Sequence, residues 1–103
     1  MSQCDENSRK ELMDYLSQNK ITVMSTVGCP ACVDAKNLLN MKEYKYSELD
    51  LTKEDNEKYF NCLMDITKSH YVPQVFINNK YIGGYRELQY LNQTGLLSDL
   101  YHS

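Results

Sequence analysis

The chain has 103 residues, of which 42% are hydrophobic and 24% are charged, and its formal net charge is −3. This length predicts a single globular domain over residues 1–103 with one modest core. The longest basic run is Arg9-Lys10, which argues against nucleic acid or an anionic membrane as a partner. No apolar run approaches the roughly 20 residues of a membrane helix. The polar first twenty residues resemble no export or transit signal, so we expect a cytoplasmic protein.

The first elements in chain order are a helix, a strand and a second helix. Ser8 followed by Glu11 predicts a capping box that opens the first helix. The run "ITVMST" (21–26) is β-branched and mostly apolar, which is typical of a buried strand. Pro30 suits the first turn of the second helix, where its missing N–H is not needed. The spacing predicts one buried stripe on that helix, formed by Cys32, Ala35 and Leu39.

The middle of the chain repeats the strand-then-helix order. Residues 44–51, "YKYSELDL", alternate enough to predict a second strand. Thr52, with Asp55 three residues later, predicts the start of a third helix. The inward-facing residues of that helix are expected to be Tyr59, Leu63 and Ile66.

The last third predicts a hairpin followed by helices. Residues 72–77, "VPQVFI", are typical of a strand, and Asn78-Asn79 forms a turn into a short strand over 80–83. Residues 85–101 predict one or two closing helices, with a break at Gly95. A βαβ unit followed by a hairpin and a helix predicts an α/β fold: a four-stranded mixed β-sheet flanked by helices on both faces.

Cys29 and Cys32 lie at the strand-to-helix junction, with Pro30 between them. Such a pair can hold zinc, form a structural bridge or exchange disulfides. Zinc needs four ligands, and the remaining cysteines and histidines of the chain form no second closely spaced pair. Exchange fits the position best, because a helix N-terminus stabilises the thiolate that attacks a disulfide. We therefore predict Cys29 as the nucleophile and Cys32, one turn further, as the resolving thiol.

The remaining two cysteines are expected to be unpaired. Cys62 lies between Tyr59 and Ile66 on a helix face, where a buried cysteine packs as a small hydrophobic residue. Cys4 lies in a polar segment and is expected to be a free, exposed thiol. Four cysteines in a chain of this length, without an export signal, do not indicate a disulfide-stapled fold.

Three motifs in order resemble the glutaredoxin branch of the thioredoxin-fold family. They are "CPAC" at 29–32, "YVPQVFI" at 71–77 and "YIGGY" at 81–85. The resemblance covers nearly the whole chain. Thioredoxins usually carry a tryptophan before the first cysteine, and this chain contains none.

The resemblance implies a thioredoxin-like fold and a glutathione-dependent thiol–disulfide oxidoreductase. In the family, the proline that matches Pro73 follows a cis bond and faces the dithiol, and the backbone at Val72 pairs with the substrate. The glycine pair turns the chain close to glutathione. The resemblance further implies a monomer with no tightly bound cofactor and no metal. Glutathione is its co-substrate, and its partners are proteins with disulfides or glutathione mixed disulfides.

The chain departs from the family pattern at several glutathione contacts. Thr26 stands where a lysine is common, and Ala31 where an aromatic residue is common. After the glycines, Tyr85-Arg86-Glu87 replaces the usual acidic segment; Arg86 could bind a carboxylate and Glu87 an ammonium group. The expected substrate- and glutathione-binding residues are Thr26, Pro30, Ala31, Val72, Pro73, Gly83, Gly84, Tyr85 and Arg86.

Two other functions remain open. With altered glutathione contacts, the protein would be a thioredoxin-like reductant that a flavoprotein reductase serves. Some glutaredoxins instead bridge a [2Fe–2S] cluster between subunits, but by resemblance Pro30 argues against this, since cluster binders tend to lack proline there.

Overall fold

A computed structural model describes residues 4–103 of the chain. The order of helices and strands is the predicted one, and the closing segment forms two helices that Gly95 separates in a left-handed conformation (φ +82°). The helices and strands are α1 Glu6–Gln18, β1 Ile21–Ser25, α2 Pro30–Met41, β2 Ser47–Asp50, a 3-10 turn Glu54–Asn56, α3 Glu57–Thr67, β3 Gln74–Ile77, β4 Lys80–Gly83, α4 Tyr85–Thr94 and α5 Leu96–Tyr101.

The four strands form one mixed sheet in the order β2-β1-β3-β4. Strand β1 runs parallel to β2 and antiparallel to β3, and β3 runs antiparallel to β4. All five residues of β1 are buried, as its apolar, β-branched sequence predicts. The β3–β4 hairpin turns at Asn78 and Asn79, which have φ values of 50° and 70°. Asparagine tolerates this conformation, so the predicted turn is confirmed.

Helices cover both faces of the sheet. One apolar cluster joins β1 and β3 to α2, α4 and α5, and the other joins the opposite face of the sheet to α1 and α3. Two residues of the predicted stripe on α2, Ala35 and Leu39, belong to the first cluster. The third, Cys32, is buried as well. The predicted four-stranded mixed sheet with helices on both faces is therefore confirmed. Within residues 4–103, no helix is both long and apolar enough to cross a membrane.

Two predicted helix starts are wrong. Helix α1 begins at Glu6, because the Asp5 carboxylate accepts the Ser8 N–H at 2.7 Å and acts as the N-cap; Ser8 is buried inside the helix. The Asp5 carboxylate is a charged acceptor, and a charge-assisted hydrogen bond is stronger than a neutral one. Helix α3 begins at Glu57 after the 3-10 turn. Thr52 instead donates its backbone and hydroxyl hydrogens to the Asp50 carboxylate.

Three predicted strands are shorter in the structure. Strand β1 ends at Ser25, before Thr26, and strand β2 ends at Asp50, before Leu51. Strand β2 also lacks residues 44–46, because the Tyr44 N–H donates to Leu39 O at 2.9 Å and so closes the end of α2. Strand β3 begins at Gln74, directly after the Val72-Pro73 peptide bond, which is cis. Proline has no N–H with which to join a strand ladder.

The expectation that Cys4 and Cys62 are unpaired is wrong. They form a disulfide with a Cα–Cα distance of 4.7 Å. The reason lies in the earlier start of α1. Because Asp5 caps that helix, Cys4 comes immediately before it, on the layer where α1 packs against α3. The burial predicted for Cys62 is confirmed, since its exposed fraction is 0%.

Candidate active site

Cys29 is the N-cap residue of α2. Its Sγ accepts a hydrogen bond from the Cys32 backbone N–H at 3.1 Å, and its carbonyl accepts from the N–H groups of Cys32 and Val33. The same N–H would point at a thiolate when the pair is reduced, and the positive end of the helix adds to the attraction. The predicted placement of Cys29 at the mouth of this helix is therefore confirmed.

The two cysteines form a disulfide and differ in exposure. Cys29 is half-buried, whereas only 1% of Cys32 is exposed. An incoming sulfur atom therefore reaches Cys29 more easily than Cys32. This difference in exposure is what the predicted roles of Cys29 as nucleophile and Cys32 as resolving thiol require.

The loop before α2 depends on Gly28 and Pro30. Gly28 has a φ of +75°, a conformation that glycine adopts without steric cost. Pro30 occupies the first helical position, as predicted. Together they turn the chain from β1 into α2 within four residues. Gly28 was not among the predicted site residues, although a glycine directly before the first cysteine was a usable signal.

The cis Val72-Pro73 segment lies against the dithiol. Val72 O is 3.9 Å from the Cys29 Sγ, and Pro73 is buried. A Cβ on Gly84 would lie 3.3 Å from Pro73 O. The structure therefore brings the "CPAC", Val-Pro and Gly-Gly motifs together although they are distant in sequence.

The glycine pair gives Glu87 access to the start of α4. Glu87 Oε1 accepts the Gly84 N–H at 2.7 Å. Gly83 has a φ of +128°, and a Cβ there would lie only 2.6 Å from the Glu87 Cγ. Glu87 thus caps α4 with one carboxylate oxygen, a role that the sequence analysis missed; the signal was its position three residues into the helix.

A cleft of about 420 Å³ opens beside the dithiol. A lysine and a carboxylate that the sequence analysis missed lie in its wall. The Lys36 Nζ lies 2.8 Å from Glu48 Oε2, which also accepts the Ser25 hydroxyl hydrogen at 2.5 Å. The hydrogen bond from Lys36 holds the pKa of Glu48 below its usual value, and the same bond raises the pKa of Lys36. The available signal was that Lys36 lies four residues after Cys32, on the same face of α2.

Four of the nine expected binding residues line clefts, and these four are divided between three separate clefts. Thr26 and Pro30 line the dithiol cleft, and Ala31 lies in the first turn of α2. Arg86 lines a second cleft with Tyr81 and Tyr90, while Tyr85 lines a third between α2 and α4. Among residues 4–103, no three His, Cys, Asp or Glu side chains converge as a metal site requires.

Comparison with known proteins agrees with this geometry. A glutaredoxin family model matches residues 21–82. The glutaredoxin of Vernicia fordii is 36% identical over 89 residues, which span 84% of this chain and 85% of that protein. The crystal structure of oxidised glutaredoxin 2 from Chlamydomonas reinhardtii is 34% identical with a TM-score of 0.81, and the match covers 97% of this chain and 94% of that one.

A buckwheat glutaredoxin, crystallised as a glutathione complex, has the same fold. Its TM-score is 0.87 at 23% identity, and the match covers 94% of this chain and 89% of that one. The fold is therefore the thioredoxin-like one. Since the family match spans more than half of the sequence and includes both cysteines of the dithiol, we conclude that the chain belongs to the glutaredoxin family of thiol–disulfide oxidoreductases.

Proposed function

We propose that this protein uses glutathione to reduce protein disulfides and glutathione mixed disulfides through the Cys29–Cys32 dithiol. One observation carries the proposal. The Cys29 Sγ lies at the N-terminus of α2, 3.1 Å from the Cys32 backbone nitrogen and 3.9 Å from Val72 O. The first contact favours a thiolate, and the second puts backbone groups that can pair with a substrate beside it.

The reaction begins at Cys29. Its thiolate attacks the glutathione sulfur of a mixed disulfide, forms a Cys29–glutathione disulfide and expels the substrate thiolate, which takes a proton from solution. Glutathione thiolate then attacks the glutathione sulfur on Cys29, which yields glutathione disulfide and free Cys29. With a protein disulfide, the Cys29 thiolate attacks one substrate sulfur and expels the other as a thiolate, and Cys32 then attacks the Cys29 sulfur. That step releases the second substrate thiolate and leaves the Cys29–Cys32 disulfide. Two glutathione thiolates then reduce this disulfide in successive exchanges and leave as glutathione disulfide.

The substrate is held by backbone more than by charge in this proposal. The backbone of Val72 pairs with the peptide of the substrate, and Pro73 keeps that segment against the dithiol. Gly83 and Gly84 frame the γ-glutamyl end. The side chains that we propose as further contacts are those of Thr26, Pro30, Ala31, Tyr85 and Arg86.

The location of the charged residues favours a second candidate for the electron donor. Thr26 offers no positive charge in the dithiol cleft, Lys36 is paired with Glu48, and Arg86 lines a different cleft. A protein with this arrangement could receive electrons from a flavoprotein reductase, as thioredoxins do. The two donors can be tested side by side on one substrate.

The test is reduction of a glutathione mixed disulfide, coupled either to glutathione and glutathione reductase or to thioredoxin reductase. We expect turnover with the glutathione system. Cys32→Ser should keep this activity, because glutathione itself resolves the intermediate, whereas Cys29→Ser should abolish it. Turnover with thioredoxin reductase alone would replace glutathione as the donor, and activity in Cys29→Ser would refute the assigned nucleophile.

A further inference from the structure

The second disulfide lies away from the active-site dithiol. Cys4 and Cys62 belong to the layer of α1 and α3, whereas Cys29 and Cys32 begin α2 on the other face of the sheet. The two cysteines are 58 residues apart in sequence. Cys62 is fully buried, while Cys4 is half-buried. Of the two residues, Cys4 is therefore the more accessible to a reagent in solution.

Contacts other than the disulfide hold α1 on α3. Leu12 of α1 and Leu63 of α3 belong to the same buried cluster. Glu11 accepts hydrogen bonds from the Lys58 ammonium at 2.8 Å and from the Tyr59 hydroxyl at 2.9 Å. Reduction of the bridge leaves these contacts in place, so the two thiols stay adjacent. Their high effective concentration favours closure of the bridge over a lasting bond to an external thiol.

We propose that Cys4 and Cys62 form a second thiol–disulfide site that exchanges with low-molecular-weight disulfides through Cys4. In oxidation, the Cys4 thiolate attacks glutathione disulfide, which forms a Cys4–glutathione disulfide and expels glutathione thiolate. The Cys62 thiolate then attacks the Cys4 sulfur, expels the second glutathione and completes the bridge. Two electrons pass from the two thiols to glutathione disulfide, and the two thiol protons pass through solution to the two released glutathiones. Reduction runs the same steps in reverse.

This site should exchange more slowly than the dithiol of α2. At the start of α2, the sulfur of Cys29 accepts a backbone N–H of the first turn. At the start of α1, the Asp5 carboxylate next to Cys4 accepts the corresponding N–H, so Cys4 does not. Glu6 adds a second negative charge in the first turn. These charges repel glutathione disulfide, which is itself anionic.

The experiment uses the full chain with Cys29→Ser and Cys32→Ser, so that only the second pair reacts and the outcome is independent of the proposed function. The reduced protein is mixed with glutathione disulfide, quenched with acid over time and analysed by intact and peptide mass spectrometry. We expect a transient adduct of one glutathionyl group on the Cys4 peptide, followed by loss of two hydrogens as the bridge closes. Adding Cys62→Ala should make the Cys4 adduct permanent.

Adding Cys4→Ser instead should slow labelling of Cys62 at least about tenfold, because that thiol is buried. A circular-dichroism spectrum checks that each variant is folded. If one variant does not fold, the transient adduct in the parent protein still tests the proposal. First labelling at Cys62, equal labelling rates in the two variants, or stable adducts in the parent without bridge closure would each overturn the proposal.

Discussion

Loss of the Cys4–Cys62 disulfide should destabilise the protein by a predictable amount. The bridge closes a loop of 58 residues, more than half of the chain. In the chain-entropy treatment, a loop of that length removes about 14 cal/mol/K from the unfolded ensemble, or about 4 kcal/mol at 25 °C. Disulfides typically contribute about 2–4 kcal/mol, so we expect reduction to lower the free energy of unfolding by that amount. That is a large part of the 5–15 kcal/mol typical of a domain.

The assay is urea unfolding of the Cys29→Ser/Cys32→Ser variant, with the second bridge either intact or reduced. Only this bridge can then respond to the reductant. Adding Cys4→Ser provides the matched control, since it removes the bridge without altering the buried Cys62. Without reductant, this control should unfold at the denaturant concentration at which the reduced parent unfolds.

We expect the effect to arise in the unfolded chain, because the buried cluster and the Glu11 hydrogen bonds also join α1 to α3. If the oxidised and reduced parents unfolded at the same urea concentration, the bridge would not constrain the unfolded ensemble and the argument would fail. If the control were much less stable than the reduced parent, the loss would come from the Cys4 side chain itself and not from chain entropy.

Three further predictions concern the active-site region. Thr26→Lys should lower the pKa of the nucleophilic thiol, because it adds a positive charge to the cleft beside that thiol. The measurement is thiolate absorbance against pH in protein whose second bridge is intact, and an unchanged pKa would refute the prediction. Gly83→Ala should displace Glu87 and weaken the cap of α4, with a loss of about 1–3 kcal/mol in thermal or urea unfolding, and an unaltered stability would show that the side chain moves freely. The Lys36 hydrogen bond holds the pKa of Glu48 below its unfolded value of about 4.5, so this pair stabilises the fold above that pH and the contribution is lost as pH falls through the lowered pKa. Glu48→Gln should accordingly flatten the acid limb of a stability–pH curve, and an identical curve would contradict the assignment.

The local signals of the sequence determined much of the fold. The run 21–26 is apolar and β-branched, and its first five residues form a buried central strand. Pro30 begins α2, Asn78 and Asn79 form the hairpin turn, and Gly95 separates the last two helices. In each case the residue's own backbone preference or hydrophobicity is enough to decide its conformation. The dithiol at a helix N-terminus was also predictable from local sequence, because its chemistry depends on neighbours within one turn.

Helix boundaries were less predictable because two local solutions competed. Both Asp5 and Ser8 can cap α1, and the carboxylate prevails since it accepts the Ser8 N–H with a full charge. That shift of a few residues decides where Cys4 lies. It therefore also decides whether Cys4 is a free thiol or half of a bridge.

The tertiary structure alone decided the contacts between distant segments. Nothing in the sequence near Cys4 indicates Cys62, because the pairing depends on how α1 packs on α3. The same holds for Lys36 on α2 and Glu48 on β2, whose side chains form an ion pair between the two elements. It also holds for Arg86, which lies at the start of α4 and lines a separate cleft. Sequence spacing specifies which face of an element a residue occupies, but the partner of that face is set only when whole elements pack together.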